Sequence, residues 1–221
     1  MMNFNPDEIF NKVEDLHPDL QEYLFPMGTW KVIQHPLVYS VPHSEYLNAM
    51  CNYRYEQAKK RLEEAYKTEN YELIPFIYER AYRVNGFYEV VAQGLIPTDK
   101  EYWRVLSQVY IDTENLYQNY DIWEKLLFCS RPDNENFMND HELEEFNKLP
   151  EEIIIYRGTR DNNWQGFSWT TDKSKAAWFA NRFSGNAVVT TGKVKKSNVI
   201  GYLTGRGESE IVCHWKNVVK I

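Results

Sequence analysis

Three short stretches in the second half of the chain carry polar side chains whose types suit chemistry on an electron-poor centre. "GRGESEIVC" (205–213) sets Glu208 and Glu210 two positions apart, ahead of an apolar run. In a strand that spacing puts both carboxylates on one face, where like charges one pleat apart repel. Such a pair either lies in solvent as a strand edge protected from aggregation, or faces a cationic or electron-deficient substrate. "EIIIYRG" (152–158) ends an apolar run on Arg157 and Gly158. An arginine there offers a rigid donor fork to a phosphate or carboxylate, and the glycine lets a ligand approach the backbone. The plainer reading is an arginine that snorkels to solvent or pairs with a glutamate. "GFSWTT" (166–171) holds Ser168 between aromatic neighbours, where an inward hydroxyl needs a hydrogen-bond partner. It reads equally as a structural serine, and no nucleophile-elbow pattern surrounds it.

The three stretches occur in a telling order: arginine on a first strand, serine on a second strand followed by a helix, Glu-x-Glu on a later strand. This order resembles the arginine–serine–glutamate class of mono-ADP-ribosyltransferases, known from bacterial toxins, vertebrate ecto-enzymes and phage proteins. The matching residues are "IYRG" (155–158), "FSWTTD" (167–172) and "ESEIV" (208–212), with "AAWFANR" resembling the helix after the serine strand. The resemblance covers about the last third of the chain. One departure is Trp169, which follows Ser168 where the family has a hydroxyl residue; Thr170 is then the natural partner hydroxyl.

The resemblance implies NAD as the substrate and no metal. Arg157 would contact the NAD phosphate or ribose, and Gly158 would offer backbone groups to the nicotinamide amide. Ser168 would hold the catalytic Glu210, which stabilises the ribose as nicotinamide leaves; Trp169 and Thr170 would border the dinucleotide. Glu208 would orient the nucleophile, and in this family a glutamate there goes with arginine acceptors on proteins; a nucleic-acid acceptor is the second option. "TGRG" (204–207) would be the turn that meets the target. The reading requires Arg157, Ser168 and Glu210 to converge on one cleft; with Arg157 and Glu210 on opposite faces of the sheet, the transferase assignment fails. Two other classes compete: an NAD glycohydrolase, with water as acceptor, and a non-enzymatic acidic inhibitor or binding protein.

The elements that must position these residues divide the 221 positions into two kinds of pattern. Residues 1–149 read as mainly helical and 150–221 as a compact strand-rich unit, so the fold class is α+β with a boundary near Leu149. Ser44 precedes a 3.6-residue stripe of Leu47, Met50, Ala58, Leu62 and Ala65. A helix is expected over 76–84, stopped by Asn85–Gly86. Thr98 with Glu101, and Asn139 with Glu142, match capping boxes, and a helix is expected to start near Asp112 or Thr113. After Pro150, strands are expected at "EIIIYRG", "GFSWTT", "NAVVTTGKV", "NVIGYL", "ESEIVCHW" and "NVVKI", with Thr171 or Asp172 capping a helix over "KSKAAWFANRF".

Charge divides the same way. Residues 151–221 hold 11 Lys and Arg against 6 Asp and Glu, whereas 1–150 hold 14 against 26. The acidic part is a poor nucleic-acid surface; the basic part suits an anionic ligand. Lys193, Lys195 and Lys196 read as a solvated strand face, with nucleic-acid contact the alternative. Trp164, Trp169 and Trp178 are either core or rings to stack on nicotinamide or adenine. The five histidines show no ligand spacing, so no metal site is expected. Cys51, Cys129 and Cys213 are too few and too scattered for a disulfide framework, and the acidic start "MMNFNPDEIF" lacks a signal-peptide pattern. No apolar run reaches the roughly 20 residues of a membrane span. A cytoplasmic protein (in the host cytoplasm, if phage-encoded) is expected.

Overall fold

Alternating apolar residues and short breakers decide the first elements. The computed structural model describes residues 12–221 apart from 114, 115, 162, 183, 184 and 206. After a four-residue helix, α1 (Pro18–Gln21), come β1 (Leu24–Met27), β2 (Trp30–His35) and β3 (Val38–His43), an antiparallel three-stranded sheet in that order. This sheet lies within the region read as mainly helical, where no strand was expected. The signal was present, since "WKVIQHPLVYSV" is a β-branched and aromatic run folded back at Pro36. Ile33 and Val38, both fully buried, pack with Leu16, Leu20, Cys51 and Tyr55 of the long helix α2 (Asn48–Lys67).

The stop expected at Asn85–Gly86 does not occur. The chain breaks earlier, after α3 (Ile74–Ile77), and α4 (Arg83–Ala92) runs through the glycine. A Cβ at Gly86 would come 2.8 Å from Tyr78 Cδ2, so the glycine makes room for the Tyr78 ring instead of ending a helix. The Tyr78 hydroxyl donates to Glu89 at 2.6 Å. Thr98 caps the start of α5 (Asp99–Asp112): its Oγ1 accepts from the Glu101 N–H at 3.1 Å and its hydroxyl donates to the Glu101 carboxylate at 2.8 Å, a side-chain pairing and not the reciprocal backbone bond of a capping box. Glu114 and Asn115, at the expected start of the next helix, lie outside the described residues, and α6 spans Tyr120–Leu127.

The chain divides into two compact units, Met1–Ile96 with Gln108–Ile122, and Pro97–Ser107 with Trp123–Ile221. The second unit therefore begins well before the boundary expected near Leu149. Its helices are part of the strand-rich body. α7 (Asp140–Asn147) carries the expected capping box of Asn139 and Glu142, and Phe146 and Leu149 pack on the sheet's core. His214, at the end of the last long strand, contacts Glu124 of α6 at 2.7 Å.

That sheet is antiparallel throughout, in the order β7-β8-β5-β4-β6-β9. Its strands are β4 (Glu152–Arg160), β5 (Ser168–Thr170), β6 (Ala187–Lys195), β7 (Val199–Leu203), β8 (Glu210–Cys213) and β9 (Val219–Lys220). Between β5 and β6 lies α8 (Lys173–Asn181), capped as expected by Asp172, whose side chain accepts from the N–H groups of Ser174 and Lys175. Ile153, Ile155, Trp169, Ile211 and Cys213 form the core of one sheet face. Among the described residues no helix is long and apolar enough to cross a membrane.

Candidate active site

Strand register decides which side chains meet. Tyr156 of β4 pairs with Thr170 of β5, and Thr170 pairs with Glu210 of β8. Directly paired residues point to the same face and alternate residues share it. Ser168, Thr170, Glu210 and Val212 therefore lie on one face, with Gly158 of the neighbouring strand. Two elements cover that face on either side. α8 crosses at Gly158, where a Cβ would collide with the Ala176 carbonyl and come 2.7 Å from the Ala180 nitrogen. Phe137 lies on Gly201 of β7, which pairs with Val212; a Cβ there would sit 2.5 Å from its ring. Ser168 and Glu210, both half-buried, occupy the strip between these two elements.

Arg157 is on the other face, with Ile155, Trp169 and Ile211. The expected convergence of Arg157, Ser168 and Glu210 on one cleft is corrected here: side-chain alternation along β4 separates Arg157 from Glu210. Its guanidinium donates instead to the Ser168 carbonyl. β4 and β5 share the single pair Tyr156–Thr170, so beyond it the β5 backbone needs another donor, and Arg157 supplies one. Gly166 leaves space for this group, since a Cβ there would lie 2.5 Å from Arg157 Nη2. Arg157 thus braces the serine strand from behind.

Two other expected ligand contacts have different roles. Trp169 is 2% exposed, and its indole N–H donates to the Gly166 carbonyl at 3.1 Å, so its ring is core and not a stacking surface for a dinucleotide. Gly158 pairs with Val189 of β6 and seats α8; close helix packing explains the glycine without any ligand. Cys213 is fully buried on the Arg157 face. Burial pushes its thiol up to about 12, with the nearby Arg157 charge pulling the other way. Native protein is expected to show no alkylation of Cys213 by iodoacetamide near neutral pH, and full alkylation in denaturant, read by peptide mass.

The carboxylate segment is held by its neighbours. Strand β8 begins at Glu210; Ser209 has φ 46° and Gly207 φ 61°, so the pleat is broken between the two glutamates. The alternation that would put Glu208 and Glu210 on one strand face does not apply, because left-handed backbone at Ser209 turns Glu208 out of the strand. The Thr170 hydroxyl donates to the Glu208 carbonyl at 2.6 Å and accepts from the Asp172 N–H at 3.0 Å. The Thr171 N–H donates to the Ser209 carbonyl at 3.1 Å. Thr170 therefore ties the glutamate turn to the start of α8, which leaves its hydroxyl committed to protein partners.

One contributor escaped the sequence reading. Glu142, 4% exposed, accepts from the Thr204 N–H at 2.9 Å with one oxygen and from the Asn139 N–H at 3.2 Å with the other. A buried carboxylate thereby anchors Thr204, just past the end of β7. Its capping role was readable from Asn139-x-x-Glu142; its second bond, 62 positions away, was not. The expected target-facing turn 204–207 includes Arg206, which lies outside the described residues.

Replacing Thr170 with Val keeps the shape and removes both hydroxyl bonds. Two backbone groups then lose partners, at about 1–3 kcal/mol in all. The melting temperature is expected to fall by roughly 2–10 °C, and Thr170→Ser to restore most of it. Calorimetry on both variants checks this; an unchanged Thr170→Val would mean the hydroxyl does not hold the turn.

Comparison with family models, with curated proteins and with solved structures returns no match. Among the described residues no group of three His, Cys, Asp or Glu side chains is placed to hold a metal ion.

Proposed function

We propose that the second unit transfers ADP-ribose from NAD to a macromolecule, with arginine side chains of a protein as the acceptors. The observation that carries this reading is the placement of Ser168 and Glu210 on one face of adjacent strands, with Glu208 on a hydrogen-bonded turn beside them. A carboxylate at the floor of such a strip stabilises the positive charge that develops on the ribose as the nicotinamide bond breaks. Ser168, one position along β5 from Trp169 and two from Thr170, stands on the same face to orient that carboxylate. Glu208, turned out of the strand, is left for the incoming nucleophile.

Arg157 enters this proposal in a changed role. It does not share Glu210's face, so the reading no longer includes an arginine from β4 on the NAD phosphate; Arg157 is a positioning residue that acts through the Ser168 carbonyl. Arg157 and Glu210 on opposite faces count against the transferase, which called for both in one cleft; what supports it is the motif order and the Ser168–Glu210 placement. Release of free ADP-ribose to water would use the same two residues.

The test is incubation of the purified protein with NAD labelled in its adenylate half, alone and with a bacterial lysate. Nicotinamide release is expected in both, with label retained on protein and removed by protease in the second. Label on nucleic acid would replace the acceptor class, and release without retained label would make the protein a glycohydrolase. No nicotinamide release under either condition would reject the NAD reading and favour a non-enzymatic binding protein.

A further inference from the structure

The helix α8 buries one side and displays another. Ala176 and Ala180, both buried, seat it on β4 at Gly158. At 100° per residue, Trp178 stands opposite both of them, turned away from the sheet. It is 57% exposed, a large ring given to solvent. Just past the helix, the Arg182 guanidinium lies 5.6 Å from the centre of that ring. Lys175 is one turn before Trp178 on the same side. Residues 173–182 contain Lys173, Lys175 and Arg182 and no acidic residue, and the preceding Asp172 is engaged as the helix cap. Arg160 packs beside Gly185, three positions beyond Arg182.

We infer that this face of α8 binds single-stranded nucleic acid, Trp178 stacking on a base and the surrounding cations meeting phosphates. An exposed ring flanked by guanidinium and ammonium groups is the arrangement that single strands use, because every base offers a π-face and every linkage a negative charge. The positive charge is local to this helix: residues 173–182 hold three cations and no anion, while the whole unit is nearly balanced, 16 Lys and Arg against 15 Asp and Glu. A protein partner fits less well. A stable protein interface needs roughly 800 Å² a side around an apolar centre, and Trp178 is ringed by Ser174, Lys175, Asn181 and Arg182. A lipid surface fits less well for the same reason, since one ring among charges makes no apolar face to enter a bilayer. The inference does not depend on NAD chemistry.

Anisotropy of a fluorescein-labelled oligothymidylate of about 20 nucleotides, titrated with the whole chain, tests it. Binding is expected at about 50 mM salt and should weaken with a log–log salt slope near −2, as for about three phosphates. Trp178→Ala should weaken binding roughly 10-fold and Trp178→Phe much less. Arg182→Ala should lower affinity and flatten the slope. Absence of binding at low salt overturns the proposal, as does equal binding by Trp178→Ala. Displacement by polyglutamate as effective as by unlabelled oligothymidylate overturns it too, because that would show charge attraction without stacking. Both Trp178 variants change an exposed side chain, and matching circular dichroism spectra confirm that the fold is unchanged.

Discussion

Replacing Glu210 with Gln is expected to lower nicotinamide release on the order of 100-fold or more while leaving NAD affinity nearly unchanged. The substitution keeps size and hydrogen-bonding capacity and removes only the negative charge. That charge matters most when the ribose becomes cationic, so the loss belongs in turnover and not in ground-state binding. Ser168 and Thr170 stay on the same face of β5, so the strip around residue 210 retains its shape. Glu208→Gln is expected to behave differently. Glu208 lies outside the strand, beyond the left-handed Ser209, and its proposed role begins with the second substrate. Nicotinamide release should persist in Glu208→Gln while transfer of label to arginine falls. Purified variants assayed for both products separate the two roles. Near-normal release by Glu210→Gln would return the paired carboxylates to a solvated strand edge and end the transferase reading.

Gly158→Ala is expected to be among the most destabilising single changes in the second unit. The added Cβ would meet the Ala176 carbonyl and the Ala180 nitrogen, both backbone atoms of α8, so no side chain can swing aside. Relief requires lifting the helix off β4. Overpacking of this kind costs up to about 3 kcal/mol and sometimes more. For a chain of this size the melting temperature should drop by roughly 10 °C. Gly205→Ala is the natural control, since a Cβ there meets nothing within 4 Å and its φ is not in the left-handed range. It should melt like the parent. A Gly158→Ala protein with the parent's melting temperature would show that α8 does not cross β4 so closely, and would also reopen Gly158 as a position kept small for a ligand.

Local patterns were legible where the physics is local. The Asn139–Glu142 box and the Thr98 cap on the Glu101 N–H close within one helical turn, and Asp172 caps α8 with two of its own neighbours, so short stretches suffice to read them. The six strands after Pro150 appear where β-branched and aromatic residues cluster between breakers, and the α+β class follows from them. The N-terminal sheet carried the same type of signal in "WKVIQHPLVYSV" and was hidden by the helical patterns around it. Gly86 misled because a glycine chosen for a neighbouring ring looks identical in sequence to one that ends a helix.

What each polar residue touches was settled only by tertiary structure. The sequence alone placed an arginine, a serine and a glutamate on three strands of the strand-rich region. It did not determine their faces, because register depends on which strands pair, and a single step in register reverses every side chain. The pairing of Tyr156 with Thr170, and of Thr170 with Glu210, is what sends Arg157 to the opposite side from Glu210. A left-handed Ser209 likewise cancels the simple alternation of the glutamates, since it is held by a bond from Thr171, 38 positions earlier. The extent of the second unit was decided the same way. Phe137 against Gly201 and Glu142 on the Thr204 N–H join helices to the sheet through contacts far apart in the chain, and no local period or charge count encodes such contacts.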